Sequence, residues 1–193
     1  SLILDCGANI GLSVIWLKQQ HADARVIAFE PDPANFRLLE KNIASYKLHD
    51  VTCHNAAVWK EDTTRTFSAA GGMASGFTNT ISKDTVSVPC LRLKYFLHEP
   101  IDFLKLDIEG AEWEVLNDCA SSLGMVKRIF VEYHGQFNEQ EKLVNILNIL
   151  KNAGFHYYLR EAASLYPTPF YRTKSSEHPY QVQLNIFGFR AGE

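Results

Sequence analysis

The chain alternates short apolar runs with longer stretches in which apolar positions recur every three or four residues. Leu2 to Asp5 is an unbroken apolar run closed by an acid, as in a strand buried on both faces. Leu12 to Gln20 reads as a helix and Arg25 to Glu30 as a second strand. Pro33 suits a first helical turn, and Phe36, Leu39, Ile43 and Tyr46 follow it at helical spacing. Val51 to Asn55 predicts a third strand. Residues 102–107 and 128–133 predict two more, with a helix over Ala111 to Leu123 between them. A further helix covers Gln140 to Asn152, with Leu143, Ile146, Leu147 and Leu150 on one face. Strands alternating with helices of this length imply right-handed βαβ units, hence an α/β fold wound around a mostly parallel sheet.

Two segments break the alternation. Residues 60–101 contain Gly71-Gly72-Met73-Ala74-Ser75-Gly76, which predicts a mobile loop, flanked by alternating runs at Thr64 to Phe67 and Val86 to Leu91. Near the end, Phe155 to Arg160 and Val182 to Arg190 predict a strand pair. Their link interleaves Tyr166, Phe170, Tyr171, His178 and Tyr180 with Pro167, Pro169 and Pro179. No repeat or linker divides the chain, so residues 1–193 are expected to form a single domain.

Composition narrows the classes. The chain has 193 residues, 46% of them hydrophobic and 21% charged, which excludes a disordered tail. A chain of this length buries roughly 70% of its unfolded surface, enough to fold without disulfide or metal staples. The net charge of −3 argues against a nucleic-acid partner, whose phosphates favour a basic excess. No apolar run approaches the ~18 residues of a membrane span. The cysteines at 6, 53, 90 and 119 include no C-x-x-C pair, so a zinc site or disulfide framework is not expected, and a reducing, cytoplasmic setting is.

Three clusters carry candidate chemistry. Asp5-Cys6-Gly7-Ala8-Asn9-Ile10-Gly11 is a glycine-bearing turn between the first strand and helix. Gly7 lets a ligand approach the backbone, and Gly11 lets the helix pack near the strand. Glu30 closes the second strand, where a carboxylate can accept two ribose hydroxyls. A dinucleotide fingerprint needs glycine where Asn9 stands, and Asp5 would repel a pyrophosphate. S-adenosylmethionine carries no phosphate, and its ammonium group welcomes a carboxylate. Asp107-Ile108-Glu109-Gly110-Ala111-Glu112 and Glu132-Tyr133-His134-Gly135 end two further strands, and in parallel sheets ligands bind outside such ends. Asp107, Glu109 and Glu112 also suit helix-capping and first-turn roles.

The segments LDCGANIG, AFEPDPANFRLLEKNI, NAAVW, IDFLKLDIEGAEWEVL and FVEYH, in that order over residues 2–134, resemble the FkbM-type S-adenosylmethionine-dependent methyltransferases. The resemblance implies the Rossmann-like class I methyltransferase fold. That fold has helices on both faces of a seven-stranded sheet of order 3-2-1-4-5-7-6, with the last strand antiparallel. It also implies O-methylation of a hydroxyl on a sugar, polysaccharide or natural product. By position, Asp5, Gly7, Asn9 and Gly11 would line the methionine end of S-adenosyl-L-methionine. Glu30 would hold the ribose, with Pro31 and Asp32 beside it. Ala57 and Val58 would flank the adenine, and Asp107 would approach the methionine or the acceptor. Family members usually carry a covering segment before the first strand, so the domain is expected to lack an N-terminal cap.

An acceptor hydroxyl must lose its proton during attack. His134 is the first candidate base, with Asp107 or Glu109 behind it. A variant places Mg²⁺ among Asp107, Glu109, Glu132 and His134, but base and capping roles account for the same residues without a metal. The partner is expected to be a small-molecule or saccharide acceptor, with the aromatic link as part of its wall or as a plug over the sheet end. The alternatives are an NAD(P)-dependent oxidoreductase on a similar sheet and a non-catalytic domain that keeps the fold.

Overall fold

The computed structural model describes residues 1–68, 76–77, 85–166, 168, 170 and 179–192. The first half alternates as its pattern predicts: β1 (Leu2–Cys6), α1 (Leu12–Gln20), β2 (Arg25–Phe29), α2 (Pro33–Ser45) and β3 (Val51–His54). Asp32 caps α2, its carboxylate accepting the N–H groups of Ala34 at 2.7 Å and Asn35 at 3.0 Å. Pro33 follows in the first turn, where a missing N–H is harmless. The chain then leaves the sheet through β4 (Ala57–Trp59), β5 (Thr63–Ser68), β6 (Gly76–Phe77) and β7 (Thr85–Arg92). It returns as β8 (Ile101–Leu106), α3 (Glu112–Cys119), β9 (Val126–Gly135), α4 (Gln140–Asn152), β10 (His156–Glu161) and β11 (Val182–Phe189).

The main sheet has seven strands in the order β10-β11-β9-β8-β1-β2-β3. β1, β2, β3, β8 and β9 run parallel, and β11 lies antiparallel between β9 and β10. This is the α/β class I methyltransferase order expected from the resemblance. The chain travels outward from β1 to β3, then re-enters on the other side of β1 at β8. The switch point where ligands bind in open α/β sheets therefore lies beyond the ends of β1 and β8.

Side chains on β1 alternate between two cores. Leu2, Leu4 and Cys6 join the apolar cluster that holds Val115 and Leu116 of α3 and Ile146 and Leu150 of α4. Ile3 joins the smaller cluster with Val14 and Leu17 of α1 and Leu39 of α2. Helices thus lie on both faces.

Two expectations change. Residues 57–92 are not merely a break in the alternation: β4, β7, β5 and β6 form a second, four-stranded sheet, β5 and β7 pairing from Thr63 with Cys90 to Ser68 with Thr85. Its Trp59, Val88 and Cys90 pack into the larger core. The helix expected to run to Leu123 ends at Cys119 and tightens into a 3₁₀ segment over Ala120–Met125, where Ser121, Ser122 and Gly124 weaken α-helix. Gly71 to Ser75 of the expected loop lie outside the described residues, as do Pro167, Pro169, Tyr171 and His178 of the aromatic link. Among the described residues no helix is long and apolar enough to cross a membrane.

Candidate active site

At the switch point the turn after β1 meets the end of β8. Gly7 has φ +85°, and a Cβ built there would lie 1.8 Å from the carbonyl oxygen of Asp107, so only glycine permits this approach. The N–H groups of Gly7 and Ala8 both donate to the Phe29 carbonyl, at 3.0 and 2.9 Å, tying the turn to the end of β2.

Glu30 is held from two sides, accepting the backbone N–H of Asn9 at Oε2 and that of Asp32 at Oε1, each at 2.8 Å. Burial pushes its carboxyl up to about 7, against the lowering effect of those two hydrogen bonds. Gly7, Asn9, Glu30, Pro31, Ala57, Val58, Asp107 and Glu109 line one open cleft, with Phe29, Asn35, Phe67 and Ile108.

Asp5, Gly11 and Asp32 stand behind that cleft. Asp5 is fully buried, accepts the Ser13 hydroxyl and lies 3.3 Å from the Lys105 ammonium. Gly11 takes φ +88° ahead of α1 and packs on Leu39, while Asp32 caps α2. Lys105 is the residue that spacing missed. Its Nζ donates to the Gly7 carbonyl at 2.9 Å and to Asp107 at 3.2 Å as well as pairing with Asp5. Burial alone would depress this ammonium, but the two carboxylates outweigh it and raise its pKa. Asp107 is also raised, by burial and by the nearby Glu132 charge, against the pull of Lys105.

The second part of the rim is a shell around His134, whose side chain is 1% exposed. Its Nδ1 lies 3.1 Å from Oε1 of Glu112, an oxygen that also accepts the N–H groups of Gly110 at 3.0 Å and Ile108 at 3.3 Å. Its Nε2 lies 3.5 Å from Glu132 and 3.6 Å from Glu109. Gln183, from β11, directs its amide nitrogen to Glu132 at 2.7 Å and to Nε2 at 3.0 Å. The Tyr180 ring covers the imidazole with centroids 4.7 Å apart, and its hydroxyl donates to the Glu109 carbonyl at 2.6 Å. The loop that carries Glu109 is held in the left-handed region at two successive residues, Glu109 at φ 54° and Gly110 at φ 94°. A non-glycine residue there is unusual enough to mark a constrained site.

Burial alone would lower the pKa of His134. Hydrogen bonds with Glu112 and Glu132 and the surrounding carboxylate charge win, and push it up to about 10. Burial carries Glu109 up to about 7 despite the imidazole, while the hydrogen bond from His134 holds Glu132 below its usual value. The cluster therefore binds protons strongly, with His134 at its centre.

Ligand atoms of Asp107, Glu132 and His134 lie within 4.8 Å of one another, close enough to suggest a cation. Their surroundings do not suit one. The Lys105 ammonium sits against Asp107, and the Gln183 amide nitrogen, a donor, faces both Glu132 and Nε2. A metal would displace or repel each of these.

Comparison with known proteins agrees with this geometry. The methyltransferase FkbM domain model matches residues 5–157. A curated protein of Beauveria bassiana named Methyltransferase 1 is 28% identical over 142 residues, which is 60% of this chain and 57% of that protein. A crystal structure of methyltransferase FkbM from Methylobacillus flagellatus superposes with TM-score 0.65 at 17% identity, over 97% of this chain and 43% of that one. An rRNA methylase from Streptococcus thermophilus superposes with TM-score 0.57 at 11% identity, over 98% of this chain and 86% of that one. The chain thus spans little more than half the length of the curated relative. It belongs to the FkbM methyltransferase domain family.

Proposed function

We propose that this FkbM-family chain transfers a methyl group from S-adenosylmethionine to a hydroxyl of a saccharide or small natural product, with His134 as general base. The observation that carries this is the meeting, on one rim, of a cleft walled by Glu30, Asp107 and Glu109 with a buried imidazole whose Nε2 faces Glu109.

The cleft suits the donor. Glu30 offers a fixed carboxylate to ribose hydroxyls, and Pro31, Ala57, Val58 and Phe67 offer an apolar slot for a base. Gly7 and Asn9 bring backbone close to the methionine end, and Asp107 offers its ammonium a counter-charge. When bound, S-adenosylmethionine supplies an electrophilic methyl group on a sulfonium. A pyrophosphate would instead meet three carboxylates in the wall, and the Asn9 N–H it would need is already spent on Glu30. This disfavours a nicotinamide cofactor.

The protein's main contribution is alignment, which in well-oriented pairs supplies roughly 7–11 kcal/mol. Its chemical contribution is proton removal. The O–H bond of the acceptor breaks as the new O–CH₃ bond forms, its proton passes to Nε2, and the electron pair of the broken C–S bond stays on sulfur. Glu112, Glu132 and Glu109 surround His134 and favour its protonated form, and a cation beside Glu109 would offset part of that charge and make the ring easier to deprotonate. The same acidic rim and the net charge of −3 favour a small hydroxylated acceptor over nucleic acid.

Release of the demethylated donor against a panel of saccharides and hydroxylated metabolites tests the activity. His134→Ala should lower kcat about 10²–10⁴-fold while leaving donor affinity intact. Full activity in that variant would move the role to Glu109 or Asp107.

A further inference from the structure

Glu112 is the least accessible carboxylate of the DIEGAE segment, 1% exposed, and one oxygen accepts from three donors. Two of them are backbone N–H groups, of Ile108 and Gly110. Because the left-handed pair Glu109 and Gly110 fixes those groups, the carboxylate cannot turn away. The capacity left on Oε1 is directed at Nδ1 of His134. We infer that Glu112 is a positioning residue: it keeps the proton of His134 on Nδ1, so that Nε2 alone exchanges protons with the acceptor.

Three observations make this more than a favourable charge at the start of α3. Glu112 and the imidazole are both buried, so their contact is unscreened by water. The other faces of the ring meet groups that act only on Nε2: Glu132 from β9, Glu109 from the loop after β8, and Gln183 from β11. The amide nitrogen of Gln183 donates to Glu132 at 2.7 Å and lies 3.0 Å from Nε2, so the ring is braced at that edge as well. Tyr180 closes the open face of the ring and Asp107 lies beyond. Ring orientation is thus set from opposite sides, and the tautomer from the Glu112 side. In acyl-transfer triads a buried carboxylate plays this part, and its amide variant leaves the geometry intact but the tautomer wrong.

The balance during turnover is simple. The acceptor proton goes to Nε2 while the Nδ1 proton stays where it is, shared with a carboxylate that does not take it. The imidazolium so formed is stabilised by Glu112 until Nε2 passes its proton to Glu109, Glu132 or water.

The kinetic half of this inference rests on the methyl-transfer reading, and the spectroscopic half does not. Imidazole nitrogens of the ¹⁵N-labelled protein report the tautomer directly. The neutral ring of His134 should carry its proton on Nδ1, and a ring protonated on Nε2 instead would overturn the inference without any variant. Glu112→Gln can still accept the two backbone N–H groups through its carbonyl, so the α3 start should survive. Its His134 should titrate at least one pH unit lower and lose the Nδ1 preference. Its kcat should fall about 10²–10⁴-fold with donor affinity unchanged, and its acid limb should move to lower pH. Glu112→Asp, which keeps the charge, should restore part of the titration. An unaltered His134 titration and tautomer in Glu112→Gln would show a purely structural carboxylate. The expected spectra with no product from any acceptor would uphold the positioning role and refute the activity.

Discussion

Replacing Gly7 by alanine tests whether the crossing of β1 and β8 is as tight as the structure requires. Two costs add. At φ +85° an L-residue is strained, by about 1–2 kcal/mol. The new Cβ would stand 1.8 Å from the Asp107 carbonyl oxygen, and that oxygen cannot swing aside because it belongs to the backbone. The two strand ends are also joined by the hydrogen bond from the Asp107 N–H to the Cys6 carbonyl, at 3.1 Å. Relief therefore means moving the ends apart, an overpacking cost of about 1–3 kcal/mol. The sum is about 2–5 kcal/mol, which for a chain of this size lowers Tm by roughly 4–20 °C. Urea denaturation followed by circular dichroism measures it, with Gly124→Ala as the control. A Cβ at Gly124 meets nothing within 4 Å, so that variant should stay within about 0.5 kcal/mol of the parent. If Gly7→Ala loses less than about 1 kcal/mol, the backbone contact at the switch point is wrong, and so is the cleft built upon it.

The remaining expectations concern binding. Glu30 holds a proton up to a pH of about 7, and only its ionised form accepts two ribose hydroxyls, so donor affinity should weaken as pH falls through 7. The limit is tenfold per pH unit, or roughly 10–30-fold by pH 5.5. Isothermal titration with the donor reads this, and Glu30→Gln should bind weakly and lose that part of the pH dependence; equal slopes in both would refute the assignment. Activity should be insensitive to a chelator and to added Mg²⁺, because Lys105 and the Gln183 amide already occupy the surroundings of Asp107, Glu132 and His134. Loss of turnover on chelation, restored by the metal, would reverse that conclusion.

Much of the fold could be read from the pattern, since most strands of the main sheet hold short apolar runs and α2 and α4 keep a clear period. α4 falls where its spacing puts it, whereas α1 has no apolar stripe and is bounded by Gly11 and its polar end. The second sheet was hidden for a physical reason. β4 has three residues and β6 two, and β5, as Thr-Thr-Arg-Thr-Phe-Ser, has too little apolar content to declare a buried face. Such strands exist through their partners, and pairing across residues 63–90 leaves no local mark. The site divides the same way. Strand ends gave the carboxylates, but nothing in their spacing separates Glu30, which faces the cleft, from Asp5, which stands behind it. The usable signal was Lys105, a lone cation in an apolar strand whose register sets it beside Asp5. Gln183 needed the pairing of β11 with β9 before it could be placed opposite His134.

Charge also separates the carboxylates already paired with a cation from those that a ligand would complete. Asp5 and Asp107 share Lys105, and Glu112 and Glu132 share His134 at contact distances of 3.1 to 3.5 Å. Glu109 reaches the same imidazole only at 3.6 Å, and among the described residues Glu30 has no ion pair. These two line the cleft, and both are pushed up to about 7 by burial that no neighbouring cation fully offsets. A carboxylate kept dry and under-compensated costs free energy until a ligand completes it. The cleft therefore favours a molecule with hydroxyl donors at the Glu30 end and positive charge near Glu109. A ribose joined to a sulfonium meets both requirements, whereas in a dinucleotide the ribose meets the first and the pyrophosphate violates the second.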